Sequence, residues 1–161
     1  MKFFWIIKDK LAGSSIIRNE NEIKELKEKG ITSIVCLVEE HELTFKNIKE
    51  YEESLNKYGI ELKHYPIKDF SAPTLEYLVK IIKYLKDKIK ENKRVLVHCY
   101  GGLGRTGTIL AAFLVYYKRI KAEEAISYVR KIRPGSIENY WQEEIIKRFE
   151  EYLLERNFNL E

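Results

Sequence analysis

Four short runs along the chain are rich in β-branched and apolar residues: Phe3–Ile7 and positions 33–38, 61–67 and 94–98. Their length and composition predict strands. Between and after them, apolar positions recur every three to four residues, which predicts helices. In NENEIKELKEKG, Asn19 stands as a helix N-cap, with Glu22 three residues on and Gly30 as a stop. A second helix is predicted over 44–58, ending at Gly59. Pro73 suits the first turn of a long amphipathic helix that reaches about Lys90. Further helices are predicted over 106–118, Ala122–Ile132 and 137–156. Strands alternating with helices imply an α/β fold, with a mainly parallel central sheet of four to five strands flanked by helices. Such sheets bind ligands just beyond the carboxyl ends of their strands. The segment 94–98 ends there, at a glycine-rich turn followed by a helix.

Composition narrows the class. With 161 residues, 45% of them hydrophobic, the chain has enough apolar mass for a sizeable core. It shows no linker, repeat or low-complexity tract, and is read as one domain over residues 1–161. The apolar patch in MKFFWIIKDK is too brief for a signal peptide, and no apolar run reaches membrane-spanning length. Two cysteines leave no disulfide framework, so the expected location is the cytoplasm. The net charge of +4 is mild, and lysines alternate with glutamates, as in KNIKEYEESLNK at 46–57. That pattern marks solvated helix faces and argues against a nucleic-acid surface. Lys and Glu are abundant, while glutamine occurs once, at Gln142. This is the composition of a hyperthermophile.

The chemistry concentrates in VLVHCYGGLGRTG, positions 95–107. Cys99 begins a loop that closes at Arg105, and three of the five residues between them (Tyr100, Gly101, Gly102, Leu103, Gly104) are glycines. Glycines let backbone N–H groups converge on one point, and a helix start adds its positive end. The result is a cradle for phosphate or another tetrahedral oxyanion. Arg105 is placed to hold two of its oxygens through a planar fork. The same field favours a nucleophilic thiolate at Cys99. Thr106 offers a hydroxyl to that sulfur, and His98 is expected to fix the loop through backbone hydrogen bonds. A nucleotide P-loop is excluded, because that motif requires Gly-Lys-Ser/Thr where this chain has Gly-Arg-Thr.

HCYGGLGRTG resembles the HCxxGxxR[ST] loop of cysteine-dependent protein tyrosine phosphatases. HYPIKDFSAP (64–73) is similar to the acid loop of the compact dual-specificity-type members, and RPGSIENYWQEE (133–144) to their tail segment. The resemblance reaches from about Leu11 to Glu144 and implies the protein tyrosine phosphatase fold, with no cofactor and no metal.

A leaving oxygen needs a proton, and a carboxylic acid is its usual source. The chain has three aspartates. Asp9 and Asp87 each lie between lysines, as surface residues do, whereas Asp69 follows the run 61–67 and reaches the carboxyl-end face. The resemblance places the general acid at Asp69 too. Members of the family that the chain resembles usually carry proline immediately before this aspartate, and here Lys68 stands there. Glu39 and Glu40, which follow the run 33–38, are competing acids. The resemblance implies that Gln142 orients the attacking water, a task Glu138 and Asn139 could share. Cys36 is expected to fill the core, with a reversible disulfide to Cys99 as the alternative.

The expected activity is hydrolysis of phosphotyrosine, and of phosphoserine or phosphothreonine, in a phosphorylated protein or peptide. The absence of lysine between Cys99 and Arg105 weighs against an inositol-lipid substrate. An RNA 5′-phosphatase on the same fold and a catalytically silent phospho-residue binding module are the remaining rivals. No membrane or nucleic-acid partner is expected.

Overall fold

In the computed structural model, which describes residues 1–161, five strands form one sheet. They are β1 (Phe3–Ile7), β2 (Leu11–Ser14), β3 (Ser33–Cys36), β4 (Glu61–His64) and β5 (Val95–His98), in the order β1-β2-β5-β3-β4. β1 runs antiparallel to β2, and the other pairings are parallel. β2, with the sequence LAGS, is absent from the predicted strands because four residues that include a glycine carry little strand signal. Pairing on both sides makes it one, from Leu11 opposite Val95 to Ser14 opposite His98. β3 and β4 end earlier than 38 and 67, where the chain leaves the ladder for the loops of the site. Two hydrogen bonds still tie those exits together, Leu37 N–H to the His98 carbonyl and Ile67 N–H to the Leu37 carbonyl, both at 2.9 Å.

Six helices follow the predicted pattern: α1 (Glu20–Glu28), α2 (Ile48–Asn56), α3 (Leu75–Lys90), α4 (Gly104–Lys118), α5 (Ala122–Ile132) and α6 (Tyr140–Glu155). Asn19, Asn47, Thr74 and Asn139 cap α1, α2, α3 and α6, each accepting from an N–H in the first turn. Three predicted starts shift for local reasons. Thr44 donates its hydroxyl to the carbonyls of Ile17 and Arg18, so α2 waits for Asn47. Pro73 precedes the Thr74 cap and lies outside the first turn. Ile137 adopts φ 60°, and α6 begins after Asn139. Glu22 turns its carboxylate to Arg18 N–H and the terminal amine, and leaves the Asn19 amide alone.

The connections β3-α2-β4 and β4-α3-β5 cross the sheet in opposite directions. Right-handed crossovers therefore put α2 and α3 on opposite faces. On the α3 face, α4 packs against α3, α5 and α6, and its residues from Gly104 to Val115 are all buried. The central strand β5 is wholly buried as well. All four parallel strands end at one edge, so the loops after Ser14, Cys36, His64 and His98 meet there.

Candidate active site

Cys99 immediately follows β5. Its Sγ accepts a hydrogen bond from Gly102 N–H at 3.3 Å. Gly102 has φ +73°, and a Cβ there would lie 2.7 Å from the Ser14 carbonyl carbon. Only glycine lets the loop sit this close to the end of β2. The loop is held elsewhere as well. The Tyr100 carbonyl accepts from Ile16 N–H at 2.9 Å, and Arg133 donates to the Gly101 carbonyl at 2.8 Å. α4 starts at Gly104, so the positive end of a fifteen-residue helix lies directly beneath the loop.

His98 anchors the loop from within the core, as the sequence suggests. Its Nδ1 bonds the Cys99 carbonyl at 3.0 Å and its Nε2 bonds the Tyr51 hydroxyl at 2.8 Å. Burial pushes its pKa down to about 4, so the ring is neutral. A neutral ring that donates from Nδ1 accepts at Nε2, which makes Tyr51 the donor of that bond.

Arg105 is almost fully buried in the first turn of α4. Its end face forks onto Glu42, with Nη1 at 2.9 Å from Oε2 and Nη2 at 2.8 Å from Oε1. Nη1 also donates to the Ile67 carbonyl at 2.9 Å, and Nη2 lies 3.1 Å from Asp69 Oδ1. Three of the five N–H groups are thereby hydrogen-bonded, and Nη2 is in addition ion-paired with Asp69. The N–H on Nε is buried without a partner. Nε and Nη2 form the side fork of the guanidinium, and its other occupant, Asp69, has a half-exposed side chain. A tetrahedral anion that displaces Asp69 gains two parallel charge-assisted bonds from a side chain already locked by Glu42. Burial raises the Glu42 pKa, but the bonds from Arg105 more than offset it, so Glu42 stays below the usual carboxylate range.

Above the sulfur lies a cavity of about 180 Å³, lined by Cys99, Asp69, Phe70, Tyr100, Leu103 and Glu138, with Gly101 and Gly104 of the loop completing it. Glu138 Oε1 lies against Gly104 so closely that a side chain at 104 would collide with it. Burial, and then the charge of Asp69, raise the Glu138 pKa, while Arg105 and the Gly104 amide pull the other way. Gln142 is fully buried beside this wall. Its Oε1 accepts from Glu138 N–H at 2.7 Å, and its Nε2 donates to the Ser71 carbonyl at 3.3 Å. The Thr106 hydroxyl is buried without a hydrogen-bond partner, so the bond it could offer to the sulfur is not formed.

The loop, Arg105 and Asp69 thus meet at one point, as their positions at strand ends require. Neither Glu39 nor Glu40 lines the catalytic cavity. Glu40 accepts from Ile48 N–H at 2.9 Å in front of α2, and Glu39 uses its amide to bond Glu42. The residue from this stretch that enters the site is Glu42. The sequence marked VEEHEL as acidic and near a strand end, but the short 3-10 turn at Glu40–Glu42 decides which carboxylate faces Arg105. Donor atoms of Glu39, His41 and Glu42 come within 4.8 Å of one another, yet Glu42 commits both oxygens to Arg105. Cys36 is buried in β3, and burial pushes its thiol up to about 12, as suits core filling.

A cysteine at the end of the central strand, an amide-lined loop and a helix-borne arginine define the class of cysteine-loop phosphatase domains. The family model described as Swiss Army Knife protein, DSP-PTPase phosphatase domain, matches residues 1–146, and the chain belongs to that family. Cyclin-dependent kinase inhibitor 3 of Rattus norvegicus is 30% identical over 136 residues, covering 83% of this chain. The chain spans 64% of that relative's length. Tyrosine-protein phosphatase CDC14 of Candida albicans is 44% identical over 69 residues, which are 43% of this chain and 13% of that protein. The crystal structure of Tk-PTP in the active form shares 36% identity at a TM-score of 0.84, covering 93% of this chain and 97% of that one. PTPMT1 in complex with PI(5)P superposes with a TM-score of 0.87 over 98% of this chain and 99% of its own, at 23% identity, which is a likeness of fold.

Proposed function

We propose that this domain hydrolyses phosphomonoesters on proteins in two steps, acting on phosphotyrosine and on phosphoserine or phosphothreonine. The observation that carries this reading is the side fork of Arg105. It presents a buried unpartnered Nε–H and a shared Nη2 beside a sulfur that already accepts a loop amide.

In the first step, the Cys99 thiolate attacks phosphorus and forms the S–P bond. The P–O ester bond breaks, and Asp69 gives its proton to the leaving oxygen. Arg105 and the loop amides hold the charge on the three equatorial oxygens. In the second step, water attacks phosphorus and passes its proton to the Asp69 carboxylate. The S–P bond breaks, phosphate departs and the thiolate is restored. Glu138 on the cavity wall, and Gln142, whose Oε1 holds the Glu138 amide from behind it, are the groups that position this water. None of these steps calls on a metal or cofactor.

The cavity is lined by two carboxylates, Asp69 and Glu138, and by no lysine. That disfavours a headgroup with several phosphates and supports the phosphoprotein reading over the phosphoinositide one. The test is phosphate release from phosphotyrosine and phosphothreonine peptides in EDTA, comparing the native chain with Cys99→Ser. Release that persists in EDTA and disappears in the variant is expected. A native chain that binds the peptides yet releases nothing makes this a binding module.

A further inference from the structure

The mouth of the catalytic cavity carries apolar side chains that the hydrolytic steps do not use. Phe70 and Tyr100 line it, and Trp141 shares a neighbouring groove with Phe70; with Tyr140, which precedes Trp141 in α6, they are 53–68% exposed and make up four of the eight large hydrophobic side chains that the molecule exposes. Apolar groups gathered at one place on a surface mark a binding face. They are not loose. Tyr140 and Trp141 stack edge to face at 5.1 Å. The Phe70 carbonyl accepts from Asn139 Nδ2 at 2.7 Å, which straps the acid loop to the start of α6.

Beyond Phe70 the cavity continues into a groove of about 900 Å³, between the acid loop, the first turn of α3 and one face of α6. Phe70, Pro73, Leu75, Trp141 and Ile145 supply its apolar surface, and Glu76, Glu144 and Arg148 its charges. The groove is about the size of a site for several side chains, whereas the catalytic cavity holds little more than a phosphoester. Phe70 lines both. Apolar surface therefore runs from beside a phosphate on Cys99 across Phe70 into the groove.

Charge selects the occupant. Two carboxylates line the catalytic cavity and two more line the groove; Arg148 is the cation of the groove, and Arg105, already paired with Glu42, is the one that meets the phosphate. A polyanionic lipid headgroup meets repulsion along this route. An apolar side chain with a basic neighbour meets both apolar surface and carboxylates. We propose that the groove binds the substrate's own polypeptide beside the phosphorylated residue, seating an aliphatic or aromatic side chain next to a Lys or Arg. This specificity rests on the phosphoprotein reading of the catalytic site.

Binding to the Cys99→Ser chain tests it without requiring turnover. Trp5 and Trp141 are the only tryptophans, so adding Trp5→Phe leaves Trp141 as the sole tryptophan, read by excitation that spares the tyrosines. Calorimetric titration of Cys99→Ser alone supplies the same Kd should the double variant fail to fold. The probes are phosphotyrosine peptides that carry Leu-Arg or Ser-Glu at each position within three residues of the phosphotyrosine. Burial of one aliphatic side chain predicts about tenfold tighter binding of the best Leu-Arg peptide over its Ser-Glu counterpart, with a blue shift of Trp141 emission. Trp141→Ala and Glu144→Lys should each erode that preference, to about threefold or less when combined.

Equal Kd values for all peptides overturn the proposal, as does a preference that survives both substitutions. A Trp141 shift produced by vesicles containing a phosphatidylinositol monophosphate, and by none of the peptides, assigns the face to lipid and overturns it too. Failure of the hydrolase reading shows separately, as absence of phosphate release from phenyl phosphate by the native chain.

Discussion

Replacing Arg105 by lysine keeps the charge and removes the fork. The guanidinium hydrogen-bonds three of its five N–H groups to Glu42 and Ile67, pairs Nη2 with Asp69, and keeps Nε–H for the cradle. An ammonium has three donors on one atom and cannot face Glu42 and a phosphoryl group in two fixed planes. The substitution removes at least one of the two charge-assisted bonds to the transferred group, worth about 1.5–3 kcal/mol. It also removes the Glu42 brace that aims the other. Together these amount to about 3–5 kcal/mol of transition-state stabilisation, or a fall in kcat/KM of about 10²–10⁴-fold. The assay is steady-state hydrolysis of phenyl phosphate and a phosphotyrosine peptide at fixed pH, with thermal melting of the same samples. A loss below about tenfold in a variant that melts like the native chain would refute the assignment of the side fork to phosphate.

Gly102→Ala forces a side chain onto φ +73° and to within 2.7 Å of the Ser14 backbone. It should cost about 1–3 kcal/mol of stability and lower turnover by displacing the amide that faces the sulfur; unchanged melting and turnover would show that the loop does not need this approach. Burial holds His98 at about 4, below its ordinary 6.5. Between those values the unfolded chain binds the extra proton, so stability is present above about pH 6.5 and is lost as pH falls toward 4. The slope is about 1.4 kcal/mol per pH unit, for about 3 kcal/mol in all. Urea unfolding across pH 4.5–7 measures it, and a slope that persists in His98→Asn assigns it elsewhere. Asp69→Asn should slow alkyl phosphate esters about 10²–10⁴-fold and aryl esters much less, because a poor leaving oxygen depends more on the proton. Equal losses on both ester classes would remove Asp69 as the acid. Glu138→Gln should lower kcat about tenfold with little change in KM; an effect confined to KM would make Glu138 a substrate contact.

Local pattern alone specified much of this molecule. The caps at Asn19 and the span of α5 follow from chemistry within one turn of chain. The cysteine loop is legible for the same reason, since its amides, glycines, nucleophile and arginine all fall within seven consecutive residues. Asp69 was reachable because few aspartates compete with it and because parallel strands send their loops to one edge. Residues outside such windows were not legible. β2 is a strand through its partners on either side, and no four-residue pattern announces that. Glu42, fifty-seven positions from Cys99, is distinguished from Glu39 and Glu40 only by which carboxylate a short turn points at a buried guanidinium. Gln142 and Glu138 were named through the family resemblance and not through local pattern, and they become neighbours of the cradle because α6 packs on α4, while the groove beside them exists only between α3, α6 and the acid loop. Sequence determines what lies within a few residues along the chain, where backbone geometry fixes the spacing. Tertiary packing decides which distant carboxylates and aromatic rings share a surface, because that spacing is set by the burial of apolar residues far from the site.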